Sequence, residues 1–138
     1  MKVALRGLFI VVFIGVTIIS LIPNPENAPA GGTMTRWLAL LFLGAEQHAD
    51  KVGHFLAYGA LGFLGAASRV RVPRIDALGP AALALWGVVM ELGQGLIAAR
   101  DTEGLDALAN SLGAGAGWAG GVVALFAASR FLGAEKAA

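Results

Sequence analysis

"DKVGHFLAYGALGFLG", residues 50–65, decides how the rest of the chain is read. Three ionisable side chains, Asp50, Lys51 and His54, stand at the mouth of an apolar, glycine-rich run. No further charge appears until Arg69. From Val52 to Ser68, a helix rising about 1.5 Å per residue covers roughly 26 Å, close to a hydrocarbon core of about 30 Å. The stretch therefore reads as a membrane helix that carries an acid, a base and an imidazole at one end.

The composition of the whole chain agrees. Of 138 residues, 57% are hydrophobic and 14% charged, and the mean hydropathy is +0.75. Soluble domains average about a quarter charged residues, so this chain lacks the polar surface to cover a globule. One domain, residues 1–138, is expected. The net charge of +1 and the scattered basic residues, without an aromatic platform, exclude nucleic acid as a partner. Cysteine is absent, which removes disulfides and thiolate metal sites.

Three more apolar stretches stand beside the first. The spans are expected at about 5–22, 52–68, 77–99 and 105–132. The first, preceded by Lys2 and Arg6, has the shape of a signal peptide with a cleavage site at Ala28-Pro29-Ala30. Retention as a helix is the expectation. "IPNPENAPAGGT", residues 22–33, holds three prolines and two glycines and reads as a loop. "RWLALLFLGA", residues 36–45, is too short to cross and reads as an interfacial or re-entrant helix. The expected fold is all-α: an integral membrane four-helix bundle with this short helix between helices 1 and 2.

Basic residues set the orientation, because lysine and arginine collect in cytoplasmic loops. With a cytoplasmic N-terminus, Lys2, Arg6, Arg69, Arg71, Arg74, Arg130 and Lys136 lie inside, and Arg36, Lys51 and Arg100 outside. Both termini are then cytoplasmic. The same orientation gathers polar groups at the outer edge: Asp50, Lys51 and His54, then Glu91 and Gln94, Arg100, Asp106 and Asn110. Asp50 and His54 are four residues apart, on one helix face. Asp106, Asn110, Gly113 and Gly117 form a stripe at steps of four, three and four. Gly113, Gly117 and Gly121 let another helix approach closely, with Gly59, Gly62 and Ala66 as the opposing surface.

The pairing of "DKVGHFLAYGALGFL" with "ELGQGLIAARDTEGLDALANSLGAGAG" resembles the VanZ-like family of small bacterial membrane proteins. The motif positions are Asp50, Lys51, His54, Glu91, Gln94, Arg100, Asp106, Asn110, Gly113 and Gly117. The resemblance covers roughly residues 50–121 and a compatible first helix. The acidic "RDTEG" around Arg100 departs from the more neutral run expected there. The resemblance implies a protein of the bacterial cytoplasmic membrane and cell envelope, tied to teicoplanin-type glycopeptide resistance.

Each polar residue also has a structural reading. Asp50 and Asp106 suit helix caps, Lys51 can snorkel, and Asn110 can bridge helices. Glu91 suits a protonated acid bonded to Gln94 or His54. Three functional classes stand beside these. Recognition of an anionic lipid headgroup or lipid-linked wall precursor would use Lys51, Arg100 and the outward helix N-termini. Asp50, His54, Glu91, Gln94, Asp106 and Asn110 would complete the ligand site. Acid/base catalysis on a lipid substrate would use His54, Glu91 and Asp106, but Ser111 carries no nucleophile motif. Proton or ion transport lacks an acid at mid-membrane in helices 1, 2 and 4. The residues favour these classes in that order. His54, Glu91 and Asp106 would be the ligands of a single metal, yet no HxH or HExxH spacing exists. No metal and no cofactor are expected.

Overall fold

The computed structural model describes residues 2–21, 31–68, 78–96 and 103–135. The described residues form five α-helices and no strand: α1 (Lys2–Leu21), α2 (Gly31–Leu43), α3 (Ala49–Ala67), α4 (Leu78–Gln94) and α5 (Gly104–Glu135). One 3-10 turn, Glu46–His48, leads into α3. The all-α expectation holds. Two helices are long and apolar enough to cross a membrane, Val3–Leu21 and Gly104–Arg130.

The ends follow from local chemistry. α2 stops at Gly44, whose φ of 74° is the left-handed conformation glycine adopts without strain. Its N–H closes on the Leu40 carbonyl at 3.1 Å. Pro80 sits in the first turn of α4, where the missing N–H costs nothing. α3 ends at Ser68, whose hydroxyl donates to the Gly65 carbonyl at 3.2 Å.

The boundaries differ from the sequence expectation in two places. Residues 31–33, expected in a loop, form the first turn of α2. Its opening amides need no carbonyl partner, so the glycine pair does not block a helix there. The third span, expected to reach residue 99, leaves the helix after Gln94 in a turn at Gly95 and Leu96. The connection 69–77 and the loop 97–102, which holds Arg100, lie outside the described residues.

Helices α3 and α5 run parallel and form the closest pair. A Cβ on Gly113, Gly117 or Gly62 would strike the backbone of Phe55, Gly59 or Ala114 respectively. One on Gly121 would come within 2.7 Å of the Phe63 carbonyl oxygen. The small-residue stripe is thus an interface of bare backbones, and it meets Gly59, Gly62 and Ala66 as expected. α4 runs antiparallel to α5: Gly79 abuts Trp118, Gly87 abuts Asn110, and Glu91 reaches Asn110. α1 runs parallel to α4. It is fastened by Trp86 Nε1 to Thr17 Oγ1 at 3.2 Å and Gln94 Nε2 to the Ser20 carbonyl at 2.9 Å.

The small apolar core is Tyr58, Leu61, Leu83 and Ala114, with Phe9, Phe13, Val16 and Trp86 packed against it. The outer faces are apolar too: Ile10, Val11, Leu85, Leu92, Val123 and Phe126 are exposed. The polar residues Glu91, Gln94, Asp106 and Asn110 are buried. Helix directions bring the end of α4 and the starts of α3 and α5 to one end of the molecule, where these residues gather.

Candidate functional site at the mouth of α3 and α5

Lys51 lies in the first turn of α3 and reaches across to the start of α5. Its ammonium pairs with Asp50 Oδ2 at 2.7 Å, with Asp106 Oδ1 at 3.2 Å, and with Glu103 Oε2. The side chain is only 15% exposed. The ammonium donates to the carboxylates of Asp50 and Glu103 and pairs with Asp106, so its charge is compensated where the side chain is withdrawn from water. Asp50 is not the cap of α3. That position belongs to His48, which makes no side-chain capping bond. Asp106 likewise sits inside the first turn of α5 and serves Lys51.

One turn deeper, His54 faces α4 and α5. Asn110, fully buried, joins it to Glu91. The Asn110 amide donates to Glu91 Oε1 at 3.3 Å, and its carbonyl oxygen lies 3.0 Å from His54 Nδ1. A carboxylate has only acceptors, which fixes the amide orientation. A carbonyl also only accepts, so Nδ1 carries the proton. His54 Nδ1 is 3.8 Å from Glu91 Oε1, and Nε2 is 3.9 Å from Asp106 Oδ2. Each ring nitrogen thus has a carboxylate oxygen beyond hydrogen-bond range.

Of the expected site residues, Asp50, Lys51, His54, Glu91, Asp106 and Asn110 meet in this layer. Gln94 does not: it is buried against α1 on the Ser20 carbonyl. Arg100 lies outside the described residues. Two residues outside the expected site set join it, Glu103 having been expected only on the same side. Glu103, just before α5, is a partner of Lys51. Tyr58 is 1% exposed, and its hydroxyl has no hydrogen-bond partner among the described residues. It sits four residues after His54, so the face 50, 54, 58 was the signal for it. Ser111 is no nucleophile here, because its hydroxyl donates to the Ala107 carbonyl at 2.8 Å.

Beside the layer lies an open groove of about 460 Å³ between α2, the start of α3 and the start of α5. Leu38, Phe42, Phe55, Leu105, Leu108 and Leu112 line it, and Lys51 stands at its polar end. The donor set His54, Glu91 and Asp106 also fits a metal ion by spacing: one ligand atom from each lies within 4.8 Å of the others. No family model, no curated protein and no solved structure matches the chain.

Proposed function

We propose that this is a VanZ-like, four-span protein of the bacterial cytoplasmic membrane that binds a lipid-linked, phosphate-bearing envelope ligand at its outer face. Through that ligand it alters sensitivity to teicoplanin-type glycopeptides. The spans are α1, α3, α4 and α5, and both termini are cytoplasmic, a reading the distribution of lysine and arginine supports. At 17 residues, α4 is about 26 Å long and crosses with its exposed Leu85, Val88, Val89 and Leu92 in lipid. α2, about 20 Å long, stays at the interface.

The observation that carries this reading is the apolar groove that ends at Lys51, directly beside a buried polar layer. A hydrocarbon chain suits the groove and a polar head suits the layer. Lys51 is already shared among three carboxylates. Recognition of phosphate therefore falls on the guanidinium of Arg100, whose paired donors match phosphate oxygens.

Lipid phosphorus that copurifies with the chain, glycopeptide susceptibility and membrane abundance test the proposal together. Arg100→Gln should lose both phosphorus and phenotype at unchanged abundance, and Arg100→Lys should be impaired. Leu108→Trp, which fills the groove, should displace the lipid as well. Full lipid content and full phenotype in Arg100→Gln and Leu108→Trp would sink the reading.

The placement of His54 between two carboxylates favours one second reading, an acid/base enzyme acting on the same lipid-linked class. It requires turnover of added substrate by the wild type and none by His54→Gln.

A further inference from the structure

We infer that His54, Glu91 and Asp106 form a binding site for one divalent first-row transition ion, held by His54 Nε2 and the two carboxylates. Sequence spacing gave no reason to expect it, because the three ligands come from three helices. The fold supplies the proximity.

Four observations carry the assignment. The donor set is one imidazole and two carboxylates, the nitrogen and oxygen chemistry that zinc and manganese accept. With neutral imidazole its charge balances a divalent ion. Next, one edge of the site is nearly at ligand spacing, and one ligand atom from each of the three residues lies within 4.8 Å of the others. Tetrahedral ligands about 2.1 Å from an ion stand about 3.4 Å apart. Here Nε2 and Asp106 Oδ2 are 3.9 Å apart, too far for a hydrogen bond and close to that edge. Nδ1 faces the Asn110 carbonyl oxygen, so Nε2 is the ring nitrogen that faces Oδ2 across this gap. A cation between them turns that opposition into two bonds. Third, Asn110 acts as the supporting residue such sites use. It accepts from the non-ligating ring nitrogen at 3.0 Å and donates to Glu91 at 3.3 Å, orienting two ligands at once. Finally, the Tyr58 hydroxyl, buried without a hydrogen-bond partner among the described residues, stands on the same face of α3 one turn after His54.

Three protein ligands leave a coordination position open. An ion here would present it to a phosphate oxygen and add positive charge to a layer where, among the described residues, Lys51 already serves three carboxylates. The inference deepens the proposed reading and rests on it for the ligand. It does not rest on it for the ion.

The test uses the full chain in detergent, stripped with chelator and dialysed against zinc or manganese alone, with no added lipid. About one equivalent per chain should be retained. X-ray absorption should show one imidazole among oxygen ligands. His54→Gln and Asp106→Asn should abolish binding, and Asn110→Ala should weaken it about 10–100-fold. His48→Gln, which changes the other histidine, should bind as the wild type does. A wild-type chain that retains neither ion overturns the assignment whatever the variants do. So does binding that survives His54→Gln or follows His48. Lipid phosphorus measured on the same samples separates the two proposals. Lipid without metal refutes only the ion, and metal without lipid refutes only the lipid ligand.

Discussion

Asn110 is the single residue through which the site is held together. It is fully buried and bonds His54 on α3 and Glu91 on α4 from its place on α5. Asn110→Ala removes one hydrogen bond from each neighbour inside a low-dielectric layer. The expected loss is about 1–3 kcal/mol, read as a lower denaturation midpoint in detergent. Ser111→Ala, which removes only a bond to its own helix, should leave the midpoint nearly unchanged. Equal midpoints for wild type and Asn110→Ala would show that the bridge contributes no stability. The sequence placed Asn110 correctly because steps of four and three from Asp106 to Gly113 define one face. It misplaced Gln94 for an equally simple reason. Residues three apart on a helix point about 60° away from each other. On α4 that angle turns Glu91 toward α5 and Gln94 toward α1.

Among the elements, the α3–α5 pair is where packing is least forgiving. A side chain on Gly117 would run into the Gly59 carbonyl, whereas Gly115 has open space around it. Gly117→Ala must push two backbones apart and should cost about 1–3 kcal/mol. Gly115→Ala should be neutral or stabilising by up to about 1 kcal/mol, since alanine favours a helix. Thermal denaturation of the two variants side by side checks this. A Gly117→Ala protein as stable as Gly115→Ala would mean that α3 and α5 are not in backbone contact. This interface was legible because glycines at regular steps have few other uses in a helix. The start of α2 and the end of α4 were less so. Pro and Gly were read as breakers at 22–33, but the glycine pair lies in an opening turn whose amides are unpaired anyway. Apolar residues up to 99 could not show that the chain turns at Gly95, because hydropathy does not record backbone direction.

For the whole molecule, the testable quantity is its orientation. Polar groups lie inside and apolar groups outside, and under the proposed membrane reading the basic residues predict which end faces the cytoplasm. The chain has no cysteine, so single cysteines can be introduced cleanly. Gln47, exposed beside the site, should react with an impermeant thiol reagent in intact cells as Gln47→Cys. Ser129→Cys, exposed near the far end of α5, should react only after the membrane is permeabilised. Ser68, the obvious inner-side choice from sequence, is fully buried and would report nothing. The reverse labelling pattern would invert the topology and move the site to the cytoplasm.

If the chain spans a bilayer as proposed, the unequal lengths of α3 and α5 have a consequence for the surrounding lipid. α5 has 32 residues, about 48 Å, and its parallel partner α3 has 19, about 28 Å. Their last close glycine contact is Gly121 on Phe63 and Ala66. Past it, Val122, Val123 and Phe126 are exposed, and the Arg130 guanidinium lies 5.1 Å from the Phe126 ring centre. Such an overhang can meet a change in bilayer thickness by tilting or bending, while the glycine-locked half stays still. Hydrophobic mismatch costs fractions of a kcal/mol per Å, and here it would be absorbed by about four turns of a single helix. Reconstituted in short-chain and then long-chain lipid, the protein should keep the same reactivity at Gln47→Cys while the accessibility of Ser129→Cys shifts. A site whose reactivity tracked lipid length would show that the two halves move as one rigid rod.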